Sequence, residues 1–212
     1  AAGVRVRSFT KEDLIYLKSN GLCYIKYGIE SGSQTMLDVM EKKCTVEDIK
    51  KALFACIEIG LYSNWQGFML GMPGESLKTI KQSGQLMGEL ASKIRVPVET
   101  IFGNTELPYA IPLVGTPMYE YGKGLGLIGQ SVEEEEKYLE VTSNIGIFKR
   151  YYLNFNGAPM SEVVFWDNLL FLEASRTYHK LMKGKEVDKK AEEKFKNLSR
   201  IQGLNPLIRR KQ

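Results

Sequence analysis

The stretch Tyr24 to Thr45, YIKYGIESGSQTMLDVMEKKCT, constrains this chain more than any other. Apolar and aromatic residues run as far as Ile29, a carboxylate follows at Glu30, and then come Ser31-Gly32-Ser33. Met36, Leu37 and Met40 follow at helical spacing, with Ser33 placed to cap their helix. A strand that passes through a short turn into a helix is one βα step, and such steps stack into parallel sheets. The strand lacks clean alternation, as expected when both of its faces are covered.

The same step recurs along the chain. GVRVRSFT alternates Val4 and Val6 with Arg5 and Arg7, a short strand. Thr10 and Asp13 form a capping-box pattern for a helix that Asn20-Gly21 ends. Thr45 and Asp48 form another, before a helix with Ile49, Leu53, Cys56 and Ile57 on one stripe. SNWQGFMLGMPGES reads as a strand through Leu70 that turns at Gly71 and Pro73-Gly74 into a helix, which Gly84 and Gly88 should weaken. PVETIF is the next strand candidate, and YAIPLVGTPMYE is an extended piece ending in a Gly-Thr-Pro turn. Short connections between these elements imply right-handed crossovers and an α/β sheet or barrel. Four strands are too few to close a barrel of about eight, so part of a TIM-like barrel is expected.

After Gly122 the pattern turns helical: an acidic helix at VEEEEKYLEVTSN, a short strand or loop at YYLNF, a long amphipathic helix from Ala158 to Lys183 with Pro159 near its start, and a final helix around DKKAEEKFKNLSRI. This gives an expected division into residues 1–122 and a helical extension, 123–212. Trp166, Leu169 and Leu170 are expected to pack against the first part. From Arg176 to Gln212 there are 12 Lys or Arg against 4 Asp or Glu, although the whole chain carries only +4. Such a tail reads first as a solvated helix and second as a surface for nucleic acid. No apolar run is long enough to span a bilayer and the first residues lack a signal peptide's apolar core, so a cytoplasmic protein is expected.

In parallel α/β folds ligands sit at the carboxyl ends of the strands. Glu30 lies at that end of its strand, and Gly71 to Glu75 at that end of the next. A carboxylate there can accept hydrogen bonds from the vicinal hydroxyls of a ribose, or it can serve the N-terminus of the following helix. Position alone leaves both readings open.

GIESGS, a lysine-bearing break a dozen residues on, a capped helix, a strand ending in GFMLGMPGES and a later GTPMYE occur here in one order. Over Val4 to about Tyr121 this set resembles the second half of a radical S-adenosylmethionine (radical SAM) domain, nearest to the group often fused to a cobalamin-binding domain. The resemblance implies half of a (β/α)6 barrel that binds S-adenosylmethionine. Glu30 falls where such enzymes contact the SAM ribose, with Ser31 beside it. Lys42 falls where a basic residue meets the SAM carboxylate, Met69 to Gly71 along the adenine, and Leu113 to Gly115 on the last strand's adenine side. Glu75 stands one position beyond the acidic end of the usual glycine-rich motif.

The sequence departs from that family at its chemical centre. Radical SAM enzymes bind a [4Fe–4S] cluster on CxxxCxxC, whereas Cys23, Cys44 and Cys56 are too far apart for such a motif, and His179 is the one histidine. No catalytic and no metal-ligating residue is therefore assigned. The expectation is a fragment of a radical SAM enzyme, with the cluster and the first strands in a missing N-terminal half and cobalamin as an optional second cofactor of the parent. Its substrate is not specified by these residues. An open sheet edge of this kind should pair with another copy or with the chain's own extension. The alternative is a non-catalytic α/β scaffold that meets nucleic acid through its basic end.

Overall fold

The computed structural model describes residues 3–64, 67–102, 107–142 and 153–202. Its first portion is an α/β unit: β1 (Gly3–Val4), α1 (Lys11–Ser19), β2 (Tyr24–Tyr27), α2 (Gln34–Val39), α3 (Val46–Glu58), β3 (Tyr62–Asn64) and α4 (Leu77–Ile94). Strands β1, β2 and β3 lie side by side in that order, all parallel. Tyr24 pairs with Tyr62 and Lys26 with Asn64, while Gly3 pairs with Lys26 on the other side. Two single parallel bridges, Glu30 to Phe68 and Leu70 to Tyr109, continue the sheet beyond the ladders. The ladder of the first strand is shorter than its Val-Arg alternation predicts, because a turn with the Ser8 amide on the Arg5 carbonyl takes the chain away.

Helix starts are set locally. Thr10 with Asp13, Thr45 with Asp48 and Ser76 with Thr79 each make reciprocal capping bonds. Ser33 does not: it occupies the N-cap position of α2, but its hydroxyl makes no cap bond and is buried without a partner. Ile25, Tyr27 and Ile29 are buried in one core with Ile49, Leu53 and Cys56 of α3 and Ile80, Met87 and Leu90 of α4. The other face of β2 is open, with Lys26 exposed, contrary to the expectation of a strand covered on both sides.

PVETIF is not a strand. Val98–Phe102 forms a short helix, α5, whose Val98 and Ile101 point the same way into the core. Three-residue spacing and burial outweigh the β preference of Val, Thr, Ile and Phe. The chain then passes through Tyr109 to α6 (Pro117–Gly124), where Thr116 caps and Pro117 opens the helix. The acidic helix is α7 (Val132–Thr142). The expected single long helix is broken into α8 (Met160–Val163) and α9 (Trp166–Met182), and the last helix is α10 (Lys189–Gln202).

The extension folds back on the first portion. Trp166, Leu170, Ala174, Tyr178 and Met182, every fourth residue of α9, are buried, and Leu169 packs beside them, so the expected packing face is the one observed. Opposite them are Gly84 and Gly88, which do not mark weakness in α4. A Cβ on Gly84 would lie 2.5 Å from the Leu170 carbonyl oxygen, and one on Gly88 would lie 2.4 Å from that of Ala174. The glycines let two helix backbones approach. In α10, Lys189 and Lys196 both pair with Glu192, so part of the basic end is neutralised within its own helix. Among the described residues no helix is long and apolar enough to cross a membrane.

Candidate functional site

Glu30 ends the strand in a left-handed conformation, φ 63°, which side-chain-bearing residues seldom adopt. Both of its backbone polar groups are tied to the neighbouring segment around Phe68: the Glu30 amide donates to the Gly67 carbonyl at 2.5 Å and the Met69 amide to the Glu30 carbonyl at 2.9 Å. The kink directs the carboxylate towards Lys42, whose Nζ donates to Glu30 Oε1 at 3.0 Å, and both side chains stay about a quarter exposed (24% and 26%). Gly28 makes room for the pair, since a Cβ there would stand 2.8 Å from Glu30 Oε1.

Lys42 comes from the break after α2, which is also kinked: Glu41 and Lys43 on either side have φ 49° and 54°. Gln34 straps this break by accepting from the Val46 amide and donating to the Cys44 carbonyl. The sequence marks the place only as a lysine pair between two helices; the conformations that separate Lys42 from Lys43 have no signature in residue type.

The Glu30–Lys42 pair stands in the wall of a cleft of about 530 Å³. Met69 and Leu113, both expected site residues, line it. So do Met40, Met72, Ile111 and Tyr121, which sequence reasoning did not assign. A mostly apolar wall with one ion pair suits a ligand that has a flat apolar body and a few polar groups. The extension supports this wall. Tyr138 of α7 donates to the Pro112 carbonyl at 2.5 Å, and Asn156 spans the opposite lip, its Nδ2 donating to the Met72 carbonyl at 3.0 Å and its Oδ1 accepting from the Gly74 amide at 2.6 Å.

Ser31 and Gly71 do not line the cleft. Ser31 is buried, with its Oγ 3.1 Å from Ser83 Oγ and accepting from the Ser33 amide, so it fastens the Ser-Gly-Ser turn to α4. Gly32 is pressed against α4 as well: a Cβ on it would meet Ser83 Cα at 2.7 Å. Gly71, at φ 82°, turns the chain, and its amide donates to the Glu75 carboxylate. Glu75 is buried (5% exposed) and accepts from Thr79 Oγ1 at 2.5 Å; burial pushes its carboxyl up to about 7.

The thiols do not fit an iron–sulfur cluster. Cys23 is exposed just before β2, Cys44 sits in the strapped break and Cys56 is buried in α3. Burial pushes both the Cys44 and Cys56 thiols up, away from the thiolate that a metal requires. Among the described residues no group of three or more His, Cys, Asp or Glu side chains could hold a metal ion.

Residues 2–87 match the family model of the radical SAM superfamily. The matched segment runs from β1 into α4 and contains Glu30, Ser31, Lys42, Met69 and Gly71, whereas Leu113 lies beyond it. No curated protein matches the chain.

Proposed function

We infer that the radical SAM segment of this chain seats the adenosyl part of S-adenosylmethionine in the cleft beside Glu30, on a sheet that forms half of a (β/α)6 barrel. The observation that carries this reading is the Glu30–Lys42 pair in the wall of an apolar cleft large enough for a nucleoside. In this scheme Glu30 accepts from the ribose hydroxyls. A carboxylate offers about four lone-pair sites and Lys42 takes one, so the pair need not break for a diol to bind. Lys42 faces the methionyl carboxylate, and Met69 and Leu113 flank the adenine. Ser31 and Gly71 position the strand ends rather than touch the ligand. Residues 1–122 carry the cofactor and residues 123–212 hold its walls in place.

The family implies a [4Fe–4S] cluster that would supply the electron for cleaving S-adenosylmethionine. The three cysteines of these 212 residues do not form its ligand set, and no step is assigned to it here. No residue is assigned to cobalamin.

The test is titration calorimetry with 5′-deoxyadenosine, which needs no cluster to anchor it. Glu30→Ala should weaken binding at least about tenfold, roughly 1.4 kcal/mol. Unchanged affinity in a folded Glu30→Ala variant would remove the ribose assignment.

A further inference from the structure

Beside the cleft, and sharing Lys42 with it, is a second cavity of about 310 Å³ with a different character. Its lining includes Arg5, Arg7, Lys42 and Lys43, together with Gly28 and Cys44. Four basic residues from two distant parts of the chain thus line one space at the carboxyl ends of β1 and β2, with Arg5, Arg7 and Lys43 exposed.

Of these four, only Lys42 has a carboxylate partner among the described residues, Glu30. Arg7 uses one guanidinium nitrogen, Nη1, to donate to the Lys43 carbonyl at 3.3 Å, which ties the two walls together. Asp48 also feels Arg7, but its carboxyl is held below its usual range first by hydrogen bonds from the Thr45 backbone and side chain and only to a lesser degree by that guanidinium. Asp48 is already committed to capping α3, accepting from the Thr45 amide at 2.9 Å. Like charges so gathered repel one another in the empty protein, and the backbone is nevertheless kept in left-handed conformations at Glu41 and Lys43, which L-residues rarely adopt. An arginine fork and neighbouring ammonium groups are suited to a phosphate or carboxylate.

We propose that Arg5, Arg7 and Lys43 form an oxyanion site for the substrate, so that the enzyme acts on a small molecule bearing a phosphate or carboxylate held beside the nucleoside cleft. The location next to the reacting end of the cofactor rests on the nucleoside reading above; the anion site itself does not.

The experiment is calorimetry of the intact chain with inorganic pyrophosphate and, in parallel, malonate at low salt. The expected result is one-site binding that weakens at least tenfold in an Arg5→Gln, Arg7→Gln double variant and shifts in the same direction in Lys43→Gln. Affinity for 5′-deoxyadenosine should stay unchanged, and Lys194→Gln on α10 should leave pyrophosphate binding intact. Preference for pyrophosphate would assign the site to a phosphate group, and preference for malonate to a carboxylate. A double variant with wild-type circular dichroism and undiminished pyrophosphate binding would overturn the proposal, as would loss of that binding in Lys194→Gln. Loss of S-adenosylmethionine binding with 5′-deoxyadenosine retained would also overturn it, because the cavity would then hold the cofactor's own carboxylate. If Glu30→Ala leaves nucleoside binding unchanged while pyrophosphate still depends on Arg5 and Arg7, the nucleoside reading fails and the anion site stands.

Discussion

Glu75 shows how much one residue can conceal. Its position at the end of a glycine-rich turn is plain in the sequence, but its burial under α4's first turn is not, since that depends on Thr79 and Gly71 closing around it. Its folded value of about 7 lies above the ordinary glutamate value of 4.5. Between those values the folded protein binds more protons than the unfolded chain, so stability from this group falls as pH rises through the window. The loss amounts to about 3 kcal/mol and is complete a little above pH 7. Denaturant titrations of wild type and Glu75→Gln from pH 4.5 to 8 should show the slope in the first and a flatter profile in the second. Equal slopes would mean that the carboxyl is ionised throughout. Glu30 was legible as a carboxylate at a strand end, yet its left-handed kink and its pairing with Lys42 were not, because neither follows from residue type.

At the level of elements, capping residues were the most readable signal: Thr10 and Thr45 start helices where their spacing to Asp13 and Asp48 says they should. Glycine inside α4 was the least readable. Propensity alone treats Gly88→Ala as a gain of about 1 kcal/mol. The structure puts the new methyl 2.4 Å from the Ala174 carbonyl and 2.7 Å from Thr177 Cβ, backbone and near-backbone atoms that cannot yield without parting the helices. Overpacking of this kind costs about 1–3 kcal/mol, so Gly88→Ala should lower Tm. Gly124→Ala, in open space at the end of α6, should leave Tm unchanged or slightly raised. Differential scanning calorimetry of both variants separates close approach from simple helix propensity. The same override of propensity by packing explains α5, whose residues favour strands and yet form a helical turn over the core.

For the whole molecule, the sequence announces a break after Gly122, and the structure shows residues beyond it finishing the cleft. Tyr138 braces Pro112 and Asn156 clamps Met72 and Gly74, long-range contacts that no local pattern could foretell. Asn156→Ala removes two hydrogen bonds, worth about 1–3 kcal/mol together, and should lower Tm by several degrees while speeding amide exchange at Gly74. Unchanged exchange there would show that the loop holds its shape unaided. The clamp also makes the cleft and the extension thermodynamic partners. Linkage is reciprocal: a ligand that favours the clamped position of the Met72–Gly74 loop strengthens the hold on Asn156 by the same free energy. Whatever takes hold of Asn156 from outside alters affinity in the cleft by the same factor.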